Sequence, residues 1–527
     1  MKHRTLWAVF AFVAPALAGD CAGLAKLSLP ATTITVAEEV TAGAFQPPGG
    51  QGLKGLPAFC RVAGVIRPSQ DSDIRFEAWM PAKEWNSKFQ GVGNGGFAGL
   101  IGYGGLAEAV RHGYAAASTD TGHRGGGTDA TWALGHPEKV ADFGHRAIHE
   151  TAVKGKAITE AFYGSKPKRS YFNSCSNGGR QALMEAQRYP EDYDGIISGA
   201  PANHWTHLLG LAVSNMQATA GDPAAYIRPA KLPAIQAAAL AACDKLDAVE
   251  DGVIENPPAC RFDPAVLLCK GAENDACLTE PQLKALRKLY DGLRDSKGKL
   301  LYPGYAMSGE AEPGGWGPWI TGAQPEKSQM FAFGTGFYKN MVFGDPAWDY
   351  KKFKMDADFK TAAIRTAGIL NATDPDLRRF KARGGKLILY HGWCDAAIPA
   401  QAVIDYYRSV TKKMGAKKTA EFVRLFLVPG MQHCGGGAGP NSFGQGGVAQ
   451  GDARGNIAAA LERWVEQGIA PEEIVATKNK SAANPVVRTR PLCAYPKLAQ
   501  YKGSGSTDDA SSFACAEPGK PKRRSSF

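Results

Sequence analysis

Between residues 169 and 188 the chain reads as a strand, Arg169 to Asn173, then a tight turn, Ser174-Cys175-Ser176-Asn177-Gly178-Gly179, then a helix, Arg180 to Arg188. A strand that turns through small residues into a helix is the setting of a nucleophile elbow, which lifts a serine clear of a sheet edge. The usual G-x-S-x-G spacing appears as Ser174-x-Ser176-x-Gly178, with serine small enough to pack where the first glycine would sit. The same rhythm runs on both sides. Asp73 to Trp79, Lys88 to Val92 and Tyr114 to Thr119 read as strands and Phe143 to Tyr163 as an amphipathic helix, while Lys386 to Tyr390 and Phe422 to Val428 are strands followed by helices from Ala400 and over Gly451 to Gln467. Alternating strands and helices argue an α/β fold with a largely parallel sheet.

Two later turns complete a pattern. The strand at 386–390 ends in His391-Gly392-Trp393-Cys394-Asp395, and the strand at 422–428 runs into Pro429-Gly430-Met431-Gln432-His433. Serine, then an acid, then histidine, each on a turn after a strand, is the chain order of an α/β-hydrolase. Ser176, Asp395 and His433 are thus the candidates for nucleophile, orienting acid and base. Cys175 precedes the serine and Cys434 follows the histidine. A serine and its base must approach to roughly 2.6–3.2 Å, and a disulfide needs Cα atoms roughly 4.4–6.8 Å apart, so one geometry satisfies both and pairs Cys175 with Cys434. Local spacing pairs Cys243 with Cys260, Cys269 with Cys277 and Cys493 with Cys515; Cys21 with Cys60 follows by exclusion and leaves Cys394 free.

An oxyanion needs two fixed donors. The backbone N–H of Asn177 is one by the elbow geometry, and the glycine run Gly93-Asn94-Gly95-Gly96-Phe97 offers the other, with Gly95 or Gly96 as the candidate. Read as a phosphate cradle the same run lacks the lysine and the spaced acidic partner of nucleotide sites.

From 205 to 383 the pattern changes to alanine-rich helical stretches, Leu232 to Leu246 and Pro281 to Leu293, and to loops rich in Gly, Pro and Trp. This block reads as an insertion within a sheet domain spanning 19–204 and 384–515. Inside it, Cys243 to Val253 clusters Asp244, Asp247 and Asp251 ahead of a glycine. The cluster could serve a hard cation, which prefers six to eight oxygens, but the residues alone favour an acidic helix end pinned by a Cys243–Cys260 bridge.

Residues 1–18 carry Lys2 and Arg4, an apolar run from Leu6 to Val13 and the small-residue site Ala16-Leu17-Ala18, the make-up of a secretory signal too short to span a bilayer. Export, secreted or periplasmic, opens the eleven cysteines to disulfide pairing, and their odd number leaves at least one unpaired. The net charge of +11 includes a terminal run, Lys520, Lys522, Arg523 and Arg524, in a basic tail over 516–527. No binding motif or aromatic-basic interleaving accompanies it, so neither nucleic acid nor membrane is expected as a partner.

Cys175-Ser176-Asn177-Gly178-Gly179, Ser198-Gly199-Ala200-Pro201-Ala202, His391-Gly392-Trp393 with Asp395, and His433-Cys434 together resemble the fungal-type tannase and feruloyl esterase family, which includes mono(2-hydroxyethyl) terephthalate hydrolase. The resemblance runs over nearly the whole chain beyond the signal. It implies an α/β-hydrolase fold with a large inserted lid domain, a Ser-Asp-His triad, a disulfide beside it, and structural calcium in the lid held by Asp244, Asp247 and Asp251 with the carbonyls of Val249 and Val253. No organic cofactor is implied. The chain departs at Cys394, where a small residue is typical and where a thiol competes for Cys434. The implied substrates are small esters of aromatic acids, free or attached to plant polysaccharide or tannin, with feruloyl esterase activity leading and tannase or terephthalate-monoester hydrolysis as alternatives. Trp316, Trp319, Phe333, Phe337, Tyr338 and Phe343 offer flat apolar surface for the acid. A reading of another class is a non-catalytic binding protein on a hydrolase scaffold.

Overall fold

The computed structural model describes residues 19–479 and 486–518. The signal segment and the lysines and arginines of the basic tail lie outside the described residues. Nine strands form the main sheet: β1 Thr32–Val40, β2 Phe59–Ile66, β3 Ile74–Pro81, β4 Lys88–Val92, β5 Ala115–Thr119, β6 Arg169–Cys175, β7 Gly195–Gly199, β8 Lys386–Gly392 and β9 Val423–Val428. Their spatial order is β1-β2-β3-β5-β4-β6-β7-β8-β9. The first three strands and the β3–β5 pair are antiparallel, and every pair from β5 to β9 is parallel. Lys386-Leu-Ile-Leu-Tyr-His-Gly is apolar almost throughout and buried on both faces, as a central parallel strand must be.

Helices cover both faces. The principal helices are α1 Tyr103–Arg111, α2 Ala147–Tyr163, α3 Asn177–Arg188, α4 Trp205–Thr219, α5 Leu232–Cys243, α6 Glu280–Asp291, α7 Gln329–Gly336, α8 Met355–Leu370, α9 Gln401–Met414 and α10 Ile457–Gln467. One face packs Ile148 and Ile158 of α2, Leu183 of α3 and Val403 of α9 against the sheet, and the other packs Leu106 and Val110 of α1 with Leu461 and Trp464 of α10. This is the α/β-hydrolase arrangement the alternating sequence implied.

Some boundaries move for local reasons. The helix expected from Phe143 opens as a wider π-turn over Asp142–Arg146 before α2 begins. The last helix starts at Ile457 rather than Gly451, because the Asn456 side chain caps it by accepting from the N–H of Ala459.

Residues 205–383 supply helices α4 to α8 between β7 and β8. Their core is shared with the sheet body, since Leu208, Leu209, Trp316 and Phe337 belong to the same apolar cluster as Phe97, Phe143, Ala202 and Ile398. The sequence-expected aromatic residues divide accordingly. Trp316, Phe337 and Tyr338 are fully buried core, Phe343 packs beside Trp348, and Trp319 and Phe333 line a cavity described below.

Five disulfides form: Cys243–Cys260, Cys269–Cys277 and Cys493–Cys515 as spacing implied, Cys175–Cys434 as the serine–histidine approach implied, and Cys21–Cys60 as exclusion left it. Cys394 is free and buried. Its thiol donates to the Ser308 carbonyl at 3.1 Å, while Cys434 is already bonded to Cys175, so the competition expected for Cys434 does not occur.

Candidate active site

β6, β8 and β9 run parallel, with β7 between β6 and β8, and the turns leaving their carboxyl ends carry the three candidate residues. Carboxyl ends of parallel strands are where such sheets gather their reactive groups. After β6, Ser176 takes φ 67° and ψ −125°, a conformation rarely adopted by a residue with a side chain. The surroundings fix it. The Ser176 N–H donates to the Gly199 carbonyl at 3.0 Å and the Ser176 carbonyl accepts from Ala202 at 3.1 Å, while the Ser198 hydroxyl donates to the Gly179 carbonyl at 2.8 Å. The Ser198-to-Ala202 segment is thus a brace on the elbow, a role its sequence did not disclose. A Cβ on Gly178 would sit 1.9 Å from the Ser174 hydroxyl oxygen. Serine at 174 is therefore accommodated because position 178 has no side chain.

Ser176 Oγ lies 2.9 Å from His433 Nε2, and His433 Nδ1 lies 2.8 Å from Asp395 Oδ2. Asp395 is buried, and its other oxygen accepts from the N–H groups of Ala397 and Ile398, each at 2.8 Å. Burial works against its charge, but His433 and His391 hold the carboxyl well below the usual carboxylate range. The motif His391-Gly392-Trp393 gives His391 no role from sequence alone. Its Nε2 lies 3.0 Å from Asp395 Oδ2 and 2.9 Å from the Ile398 carbonyl, so Asp395 is held from a second side. Such an arrangement can draw a proton from Ser176 through an imidazole of fixed tautomer.

The glycine run faces the same point: Gly95, Gly96, Ser176, Asn177 and His433 line one cavity of about 440 Å³. Its loop is tied to the elbow helix by a reciprocal pair. The Asn94 N–H donates to Gln181 Oε1 at 3.0 Å and the Gln181 amide donates to Asn94 Oδ1 at 3.1 Å, with both residues buried. Asn94 also donates to the Thr119 carbonyl at 2.7 Å. Asn177 opens α3, where unpaired backbone N–H groups favour a developing negative charge.

The far wall of the cavity is apolar and comes from the insertion: Trp205, Leu208 and Leu209 of α4, Trp319, and Met330 and Phe333 of α7. Trp319 presents its ring nearly at right angles to His433, with centroids 5.0 Å apart. The polar side chains beside Ser176, Asn177 and His433 are Thr128 and Gln329, and no Asp, Glu, Lys or Arg is among the described residues lining the cavity. Sequence patterning missed most of this wall because its members are far apart in the chain.

The acidic loop after α5 is compact. Asp244 accepts from the N–H of Gly252 at 2.9 Å, Asp247 from Val249 at 3.0 Å and Asp251 from Val253 at 3.2 Å. Asp251 also pairs with Arg490 at 2.6 Å and Arg488 at 3.2 Å. Asp247, Asp251, Val253 and the buried Glu255 border a small cavity. Burial raises the carboxyls of Asp247 and Asp251, each repelled further by a neighbouring aspartate, and pushes Glu255 up to about 8. Carboxylate oxygens are the donor type a hard cation takes, but the three aspartates do not converge as one cluster and Asp251 is already met by Arg488 and Arg490.

The sequence profile of the tannase and feruloyl esterase family matches residues 60–516. An uncharacterized esterase from Xanthomonas campestris is 46% identical over 98% of this chain and 94% of its own. A probable feruloyl esterase B-2 from Aspergillus terreus is 34% identical over 86% of both chains. Among solved structures, feruloyl esterase B from Aspergillus oryzae is similar with a TM-score of 0.87, 29% identity and coverage of 94% of this chain and 99% of its own. Tannin acyl hydrolase from Aspergillus niger gives 0.74 at 25% identity, covering 93% and 92%. These relatives are named as esterases and acyl hydrolases, which removes the reading as a non-catalytic binding protein. The chain belongs to the tannase and feruloyl esterase family and is a carboxylic ester hydrolase.

Proposed function

We propose that this protein is an exported serine esterase of the feruloyl type, cleaving esters of hydroxycinnamic acids through Ser176, His433 and Asp395. The observation that carries the reading is the hydrogen-bond chain from Ser176 through His433 to Asp395, opening on a cavity with an aromatic wall. Ser176 Oγ attacks the ester carbonyl as His433 Nε2 takes its proton, and Asp395 stabilises the imidazolium. The carbonyl oxygen becomes an oxyanion held by the N–H groups of Asn177 and Gly95. His433 returns the proton to the departing alcohol, leaving an acyl group on Ser176. Water then attacks that acyl group with His433 again as base, and the aromatic acid leaves.

The wall supports the choice of acyl group. A terephthalate monoester would bury a second carboxylate against Trp319, Phe333 and Leu209 without a cation to meet it, which is costly. Gallate carries three hydroxyls for which Thr128 and Gln329 supply few partners. A hydroxycinnamate places an apolar arm and one ring there instead. The names of the relatives from Aspergillus terreus and Aspergillus oryzae point the same way, whereas the less similar Aspergillus niger structure is named a tannin acyl hydrolase. The proposed alcohol is a small alcohol or a sugar of plant polysaccharide.

Among the described residues no helix is long and apolar enough to cross a membrane, and five disulfides suit an oxidising compartment. The disulfides support export under the expected signal segment. Calcium is proposed for the loop of Asp244, Asp247 and Asp251, with the carbonyls of Val249 and Val253; it would add to the charge compensation that Arg488 and Arg490 give Asp251.

The deciding experiment compares methyl ferulate, methyl gallate and the terephthalate monoester at equal enzyme. The reading expects the ferulate kcat/KM to exceed the others by about tenfold or more, and a terephthalate or gallate preference contradicts it. A serine-directed fluorophosphonate is expected on Ser176 of the folded protein, and its absence there contradicts the mechanism.

A further inference from the structure

The helix that starts at the elbow carries at its far end a carboxylate that the ester chemistry does not use. Glu185, near the end of α3, is fully buried, and neither of its carboxylate oxygens has a hydrogen-bond partner. Burying an uncompensated carboxylate is costly, so a group left this way calls for an ion or a proton. Facing it are His149 of α2 and Asp192, which lies on the turn before β7. One ligand atom from each of the three lies within 4.8 Å of the other two, the one such group of three among the described residues.

The pocket they form is built. Asp192 is buried, its Oδ2 lies 2.6 Å from His149 Nδ1, and Lys156 Nζ lies 3.3 Å from Oδ1. The Tyr189 ring stacks on the His149 ring with centroids 3.9 Å apart, fixing its plane. His149 is half-buried, which leaves one side of the group open to solvent. Two carboxylates and one imidazole from three elements make the mixed oxygen and nitrogen donor set of divalent transition metals, zinc in particular, with remaining positions filled by water.

We infer that His149, Glu185 and Asp192 form a binding site for a divalent transition metal such as zinc, separate from the ester cavity, which clamps α2 and the turn before β7 to the elbow helix. Metal entry replaces the His149–Asp192 hydrogen bond and gives the Glu185 carboxylate a cation. The competing arrangement is a proton shared between Glu185 and Asp192: burial pushes the Glu185 carboxyl well up, and Asp192 beside it pushes it further.

The test is calorimetric titration of zinc chloride into the full-length protein, stripped with chelator and returned to millimolar calcium so that the acidic loop stays filled. One zinc per chain is expected. E185Q and H149A should each weaken binding by more than the roughly 10–100-fold that loss of an outer partner costs, and zinc should raise the melting temperature of the wild type but not of E185Q. Wild-type protein that takes up no stoichiometric zinc overturns the inference. So does uptake of unchanged affinity in both variants. An E185Q protein more stable than wild type, with no zinc response in either, identifies the shared proton and overturns it as well. If E185Q fails to fold, H149A, at the half-exposed position, carries the comparison.

Discussion

Cys175 and Cys434, the neighbours of Ser176 and His433, are bonded to each other with their Cα atoms 6.0 Å apart across 259 residues of sequence. The bond closes the distance between β6 and the loop after β9 by a covalent route as well as through β7 and β8. Replacing both cysteines with alanine should therefore lower kcat far more than it raises KM, by about a hundredfold if the misplacement reaches 1 Å. Unfolding by denaturant should show a loss of about 2–5 kcal/mol.

Asp395 is expected to stay ionised well below the range of an ordinary aspartate, near 3.9. Its depressed value means that it stabilises the fold at every pH above about 4 and that this contribution is lost as pH falls through the folded value. D395N should flatten the acid limb of a stability-against-pH curve. It should also cut kcat by about 10⁴-fold, since the amide holds the wrong imidazole tautomer. Steady-state kinetics and denaturation between pH 2.5 and 7 check both.

The Asn94–Gln181 pair fixes the glycine loop to the elbow helix. Q181A strands the Asn94 N–H and side-chain oxygen in a buried site, at about 1–3 kcal/mol for each group left unpaired. If that loop supplies an oxyanion donor, kcat should fall by about 10–10³-fold with KM little changed. A loss confined to stability would separate scaffold from positioning.

Trp319 is the insertion residue whose ring meets His433. W319A should raise KM for aromatic methyl esters by about tenfold, in line with about 1.4 kcal/mol of lost ring contact, and should leave turnover of an acetate ester nearly unchanged. Paired kinetics on methyl ferulate and a short-chain ester test it.

Calcium removal by chelator should lower the melting temperature by several degrees, as loss of about 1–3 kcal/mol does in a protein of this size. D251N, which also gives up the pairs with Arg488 and Arg490, should abolish the response to added calcium. Metal analysis after dialysis gives the stoichiometry.

The elbow, the acid and the histidine were legible in the sequence because each sits within a few residues of a strand end, where local pattern and chain order suffice. The disulfide partners were legible for the same reason, through near neighbours or through Ser176 and His433. What a linear reading could not reach is held together by the fold alone. Trp205, Leu209 and Phe333 meet only because α4 and α7 pack over the strand ends. His391 is silent in sequence because its partner Asp395 is already accounted for by His433, and only the burial of both shows the second hold. Glu185 reads as an ordinary helix carboxylate, and its lack of partners emerges only when α2 and the turn before β7 close over it.

The cavity has two owners. Its floor, from Gly95 to His433, comes from turns of the sheet body, and its far wall comes from α4, α7 and the Trp319 turn of the insertion. On the proposed function, reactivity and choice of acid are thus written in separate stretches of chain. A lineage can retune the acid it accepts by exchanging wall side chains while the reacting atoms keep their places, which is how one scaffold can come to serve several aromatic esters.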